Sequence, residues 1–129
     1  MPLLTFDLIE GRTEEEIKLL LDASHRAVVK AFEVPEGDRY QIVHQHPKHE
    51  LIIEDTGLGF KRSDEVVAIS VRSTPRTDKQ KKLFYNLLVK ELNEICGMDS
   101  KDVMVSIVTN SASDWSFGFG EAQFLNGEL

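Results

Sequence analysis

The residue with the most chemical potential is the second. Pro2 follows Met1 directly in MPLLTFDLIEGRT, and a methionine that precedes a small residue is commonly trimmed, which would leave Pro2 as a free secondary amine at the chain end. Such an amine is the one backbone nitrogen able to act as base, as acid or as an iminium-forming nucleophile. An α-amino group titrates near about pH 8; burial lowers that value because the charged form loses its water, and a neighbouring carboxylate raises it. The same nitrogen can thus be tuned to take a proton or to hold one. A plainer reading is also open, in which a proline at a strand start removes an amide donor that a sheet edge does not need.

Groups that could serve such an amine are present. In VRSTPRT (71–77), Arg72, Thr74 and Arg76 share one side if the run stays extended, and Pro75 marks the strand end. Arginines at the C-terminal edge of a strand can grip a carboxylate through two parallel hydrogen bonds; the alternative is solvated charge, with Arg76 merely flanking the helix cap Thr77. Asp38, in PEGDRY, could orient or activate a water or a substrate proton, or be a turn carboxylate ahead of a strand. The C-terminal DWSFGFGEAQFLNGEL (114–129) holds Trp115, Phe117, Phe119 and Phe124, four of the ten aromatic residues, with glycines between them. Aromatics on such a tail form either a docking surface or the wall of a pocket. His44, His46 and His49 lie close together in HQHPKH, and alternation puts the first two on one strand face. No Cys, Asp or Glu beside them completes a metal set, so a surface turn with solvated imidazoles is the favoured reading, and neither metal nor cofactor is expected.

These residues need a scaffold, and the pattern of the chain supplies one. Thr13 to Glu33 places Ile17, Leu20, Leu21, Ser24, Val28, Ala31 and Phe32 at helical spacing, and Thr13 with Glu16 forms a capping box. Thr77 with Gln80 repeats the box ahead of Phe84, Leu87, Leu88, Leu92 and Ile95, and Gly97 is a natural stop. Strand-like runs precede each helix, LLTFDLI (3–9) and EVVAISV (65–71), and follow each, DRYQIV (38–43) and DVMVSIV (102–108). The caps Thr13 and Thr77 lie 64 positions apart (77 − 13), as do Asp38 and Asp102. The spacing predicts two βαβ units related by a pseudo-twofold, each with a right-handed crossover, joined into a mixed four-stranded sheet with both helices on one face. Between them, ELIIEDTGLGF (50–60) predicts a short strand and a Gly-rich turn. The sheet face without helices needs a cover, which predicts a homo-oligomer.

Composition bounds the partners. The chain has 129 residues, enough for one domain with a real core, and its 41% hydrophobic and 29% charged content suits a folded globular protein. A net charge of −7 with no basic cluster argues against nucleic acid and against an anionic membrane. The single cysteine, Cys96, permits no internal disulfide and reads as a buried small hydrophobe in a reducing compartment. No run approaches the roughly 20 apolar residues of a membrane span, and no basic-then-apolar leader opens the chain, so a cytoplasmic location is expected.

Together these features resemble the tautomerase superfamily, whose members carry a catalytic amino-terminal proline on a repeated βαβ scaffold, and within it the malonate semialdehyde decarboxylase-like group. The resemblance runs from end to end. It rests on PLLTFDLIEGRT (2–13), DRYQIV (38–43), EDTGLGF (54–60), PRT (75–77) and DWSFGFG (114–120) through the closing GEL. It implies an α+β tautomerase-like fold in a single domain, 1–129, with pseudo-repeats of about 2–64 and 65–129, assembled as a homotrimer with sites near the subunit interfaces. By matching positions it implies Pro2 as the acid/base or iminium centre, Asp38 as the group assisting proton transfer or water activation, and Arg76 as the carboxylate clamp. Trp115, Phe117, Phe124 and Leu129 would form an apolar wall. One departure matters: the decarboxylase group carries Arg-Pro-Arg where this chain has Thr74-Pro75-Arg76, so the first arginine is missing and Arg72 is the candidate to replace it.

The leading functional expectation is keto–enol tautomerisation of a 2-oxo acid, a small molecule, with Pro2 shuttling the proton and Arg76 binding the carboxylate. Decarboxylation or hydration of a 3-oxo acid such as malonate semialdehyde is the alternative, with a cationic Pro2 polarising the carbonyl and Asp38 assisting. A trimeric interaction protein that lost the chemistry is the third.

Overall fold

The computed structural model describes residues 1–129, and its strands follow from simple alternation. In β1 (Leu3–Ile9), Leu4, Phe6 and Leu8 are buried while Leu3, Thr5 and Asp7 are only partly covered. β3 (Val67–Ser73) repeats this with Val67, Ile69, Val71 and Ser73 buried. Both strands therefore present one apolar face to a covering layer. That layer is α1 (Glu14–Phe32) and α2 (Asp78–Cys96), whose buried stripes include Leu20, Val28 and Phe32 in one and Phe84, Leu88 and Leu92 in the other. Phe32 and Phe84 meet between the helices with ring centroids 4.9 Å apart. Ala23 and Ala27, which the apolar count in the sequence passed over, complete the α1 face; their small side chains allow close approach.

Both helices start at the capping boxes read from sequence: the Thr13 hydroxyl accepts from Glu16 N while Glu16 accepts from Thr13 N, and Thr77 and Gln80 do the same. Gly97 ends α2 in the left-handed region at φ 67°, where a side chain would be strained. The sheet order is β2-β1-β3-β4, with β2 (Tyr40–His46) parallel to β1, β3 antiparallel to β1, and β4 (Val103–Thr109) parallel to β3. This is two βαβ units back to back. The offset of 64 holds at both ends of β1 against β3 and of α1 against α2, and slips by one residue at β4.

The bare sheet face carries Leu3, Thr5 and Asp7 of β1, Tyr40, Ile42, His44 and His46 of β2, Arg72 of β3 and Val108 of β4. Ile42 and Val108 are markedly exposed there, apolar surface of the kind that another surface covers. Two expectations fail. Residues 51–66 contain no strand: a 3-10 turn at Lys48–Glu50 leads into loop, and Asp55 organises the glycine turn by accepting from Gly57 N at 3.2 Å and Gly59 N at 2.7 Å. The apolar Leu51, Ile52 and Ile53 mimic a strand but pair with neither edge strand, β2 or β4. His44 and His46 lie within β2 rather than in a turn, both directed at Asp7, whose Oδ1 is 2.7 Å from His46 Nε2 and 3.4 Å from His44 Nδ1. His49 sits apart in the 3-10 turn.

Candidate active site

Because β1 and β2 run opposite to β3 and β4, the first residues of one pair and the last of the other meet at one end of the sheet. Leu3 is level with Tyr40 and with Arg72, so everything just outside those positions converges. Pro2 is buried at this end, ahead of the first ladder residue. The chain's terminal amine, on Met1, reaches Asp38 Oδ2 at 2.7 Å. Asp38 comes from the turn after α1, which Glu33 opens in the left-handed region at φ 54°, and its amide donates to Pro35 O at 3.0 Å. Its side chain is only 6% exposed, a burial that a carboxylate tolerates when a cation pairs with it.

Burial pulls the terminal amine below its ordinary value; the Asp38 hydrogen bond and charge act upward, and the Arg76 charge acts downward. An amine, a carboxylate and a guanidinium thus share one field. Burial disfavours the charged amine while the Asp38 carboxylate favours it, so the two act in opposite directions on one proton. Arg76 is half-buried, stacked over the Phe32 ring with Cζ 5.1 Å from the centroid. It donates through Nη1 to Phe32 O at 3.1 Å and through Nε to Ser73 Oγ at 3.1 Å. Burial lowers its pKa and Asp38 raises it, which leaves it a cation at any working pH.

Arg72 is not part of this grouping. β3 ends at Ser73, so the run does not stay extended through Arg76; Arg72 is exposed and lies on the bare face, opposite to buried Ser73. Thr74 is half-buried beside Arg76, and its carbonyl accepts from Ser73 Oγ at 2.8 Å.

The tail supplies aromatic surface. Trp115 and Phe117 stack at 5.4 Å, and Phe124 meets Phe117 edge-on at 5.6 Å. Phe117 also stacks on Tyr40 at 5.7 Å, which ties the tail to the first residue of β2, two positions after Asp38. Tyr40 was not singled out from sequence; its signal was its place in DRYQIV, an aromatic two residues from a candidate acid. Trp115 Nε1 donates to Asn110 Oδ1 at 2.9 Å, and Asn110 N donates to Ser73 O at 2.8 Å, so the tail is also fixed to the end of β3. Gln123 anchors the loop, accepting from Phe117 N and donating to Gly118 O. Leu129 and Phe119 are exposed and stand outside the stack, Phe119 at 99%.

At the far end of the sheet the 64-residue offset pairs Arg12 with Arg76 and Asp102 with Asp38, and the outcome differs. Asp102 is buried and taken up by Ser63, accepting from its N at 2.7 Å and from its Oγ at 2.6 Å. Arg12 donates to Glu65 O at 2.6 Å on the rim of a cavity of about 230 Å³ floored by Leu19, Leu20, Ile95 and Met98. No chain terminus arrives there. Cys96, half-buried on that cavity, has its thiol pKa raised by burial. No three His, Cys, Asp or Glu side chains are arranged to hold a metal ion, and no helix is long and apolar enough to cross a membrane.

The mixed sheet of two βαβ units thus brings a terminal amine, a buried acid and an arginine to one end. Two family models described as tautomerase enzyme match residues 38–118 and 2–61. The chain belongs to the tautomerase family and is a tautomerase-family enzyme. It is 57% identical over the full length of both chains to a probable tautomerase, YrdN, of Bacillus subtilis (strain 168). Among solved structures it is similar to a malonate semialdehyde decarboxylase studied for decarboxylase and hydratase activities, at 54% identity and a TM-score of 0.97 over 98% of each chain. It is also similar to FG41 malonate semialdehyde decarboxylase inhibited by 3-bromopropiolate, at 40% identity and 0.94 over 98% of this chain and 97% of that one. A fused 4-OT solved as a symmetric trimer shares the fold at 23% identity and 0.78 over 97% and 98%.

Proposed function

We propose that the chain, once Met1 is removed, uses the Pro2 nitrogen to move a proton in the keto–enol tautomerisation of a 2-oxo acid. The observation that carries this reading is the chain's amino terminus itself, buried at the sheet end with its amine 2.7 Å from Asp38. Trimming moves that amine one residue inward, onto the ring nitrogen of Pro2, itself a buried residue. In the reaction the neutral proline takes the enol hydroxyl proton, the O–H electron pair forms the carbonyl π bond, and the C2=C3 π pair takes the proton from the proline cation to form the new bond at carbon 3. Asp38 stabilises that cation while it lasts, and Arg76 binds the substrate carboxylate. The Tyr40–Phe117–Trp115 stack and Phe124 provide apolar surface for the substituent on carbon 3 and keep the amine poorly hydrated. Leu129 would join this wall when the tail end closes over a substrate.

A second reading is favoured by the decarboxylases at 54% and 40% identity. In it a cationic Pro2 polarises, or condenses with, the carbonyl of a 3-oxo acid such as malonate semialdehyde, and Asp38 assists loss of carbon dioxide or addition of water. That chemistry needs the carboxylate held perpendicular to the carbonyl, a task for which Thr74 offers no charge and Arg76 acts alone, with Arg72 available only if a neighbouring subunit uses it. The exposed apolar patch on the bare sheet face supports a homotrimer built on that face.

The test is intact mass and amino-terminal sequencing of untagged protein, together with an assay on the enol of an aryl or alkyl 2-oxo acid before and after Pro2→Ala. Met1 absent and activity lost in the variant supports the proline mechanism. Activity that survives the substitution overturns the proline mechanism, and Met1 retained with no activity favours a non-catalytic trimer. Carbon dioxide release from malonate semialdehyde, measured on the same samples, decides between the two enzyme readings.

A further inference from the structure

We infer that Ser73 is a positioning residue for the carboxylate clamp: its buried hydroxyl fixes which edge of the Arg76 guanidinium a substrate meets. The inference rests on the reading of Arg76 as the clamp. Ser73 is the last residue of β3 and is fully buried, an uncommon place for a serine in a strand whose other inward residues are Val67, Ile69 and Val71. A buried hydroxyl is costly unless it is bonded, and this one is bonded on both sides. It donates to Thr74 O at 2.8 Å and accepts from Arg76 Nε at 3.1 Å. Its own donor direction is therefore fixed by the adjacent carbonyl, so toward Arg76 it can only accept.

The consequence for Arg76 is geometric. A guanidinium offers a carboxylate two bidentate edges, one through Nε and one nitrogen of the terminal pair, the other through both terminal nitrogens. Ser73 occupies Nε, and Phe32 O takes one Nη1 proton at 3.1 Å. Nη2 and the remaining Nη1 proton stay open. The clamp therefore works end-on, and its aim depends on a hydroxyl one turn of chain before it. The pseudo-twofold provides an internal control. At the position matching Ser73 the first half has Ile9, and the matching arginine, Arg12, has no hydroxyl partner and is drawn instead onto a backbone carbonyl, Glu65 O.

The experiment compares wild type with Ser73→Ala, Arg76→Ala and the double variant on an aryl 2-oxo acid enol and on its methyl ester, which lacks the carboxylate charge. Ser73→Ala is expected to raise KM for the acid about tenfold with kcat changed much less, because part of a charge-assisted bond worth a tenfold or more in affinity is misdirected. It should leave the ester kinetics unchanged and add nothing on the Arg76→Ala background. Ser73→Thr restores the acceptor and should recover most of the KM; if the added methyl group prevents folding, Ser73→Cys, a weaker acceptor, should fall between alanine and serine. Arg76→Ala with an unchanged KM for the acid would mean that the clamp reading itself fails. Arg76→Ala impaired while Ser73→Ala matches wild type, or impairs acid and ester alike, overturns the positioning role alone.

Discussion

Replacing Asp38 by asparagine isolates what a buried carboxylate does for the amine. The substitution keeps the size of the side chain and a carbonyl oxygen at the 2.7 Å position but removes the charge that faces the chain terminus. In the proposed reaction the amine is neutral in the ground state and cationic as it takes the substrate proton, so Asp38 interacts most strongly with the species that forms during the reaction. Interactions of that kind appear in kcat rather than in KM. A hydrogen bond to a charged group contributes about 1.5–3 kcal/mol net, and each 1.36 kcal/mol is a factor of ten in rate. The expected loss in kcat is therefore about ten- to 150-fold, with KM little altered.

The pH profile carries the sign of the effect. Three influences set the Met1 amine, namely burial, which lowers its pKa most, Asp38, which raises it, and Arg76, which lowers it; the Pro2 amine left by trimming is expected to meet the same three. Asparagine deletes the one charge that acts upward while the two downward influences remain. The neutral amine then persists to lower pH, so the ascending limb of kcat/KM moves toward acid in Asp38→Asn. Steady-state rates on an aryl 2-oxo acid enol between about pH 5 and 9 measure both effects. A limb that stays in place or moves to higher pH refutes the reasoning, and so does a loss carried entirely by KM.

Three further outcomes follow from the far end of the sheet. Asp102→Asn should cost about 1–3 kcal/mol of stability, read from urea unfolding, because Ser63 N and Oγ lose a charged acceptor in a buried site; its pH–rate profile should overlay that of wild type. Arg12→Ala should leave kcat/KM within about twofold of wild type, since the residue lies at the opposite end from the amine and distant sites act independently; a larger loss would place Arg12 in the reaction. Cys96 should react with iodoacetamide at pH 8 more slowly in the native protein than in urea, because burial raises the thiol pKa and shrinks its thiolate fraction; equal rates would contradict that burial.

Much of the fold was legible because its determinants are local. Capping boxes at Thr13 and Thr77, a left-handed glycine at 97 and period-2 burial in Leu3–Ile9 each act within a few residues, and the 64-residue offset joined them into two matching units. Register at the strand ends was less legible. β3 runs to Ser73 rather than stopping at Val71 because Asn110 N pairs with Ser73 O across the sheet, a bond no local pattern announces. The end of β3 at Ser73 decides the arginines: Arg72 lies on the bare face within the strand, and the chain turns before Arg76. Tyr40 was missed for a similar reason, since its stacking partner Phe117 is 77 positions away (117 − 40). Leu51–Ile53 misled in the opposite direction, carrying strand composition in a segment that pairs with neither sheet edge.

The two halves also bear on why the proposed reactivity belongs to one end. A pseudo-twofold duplicates backbone geometry, so each end of the sheet receives an acid from the approach to its outer strand and an arginine from the approach to its helix: Asp38 with Arg76, Asp102 with Arg12. Duplication cannot supply a second chain terminus. At the far end the position matching Pro2 is Val66, an interior residue whose nitrogen is an amide and donates to Ser63 O at 3.2 Å. With no amine to face, Asp102 is satisfied by Ser63 and becomes structural, and Arg12 settles on a carbonyl. At the near end the amine keeps Asp38 engaged and Ser73 keeps Arg76 turned outward. The proposed chemistry therefore rests on breaking the symmetry at a few atoms, a terminal nitrogen and one hydroxyl, on a scaffold that otherwise treats its two ends alike.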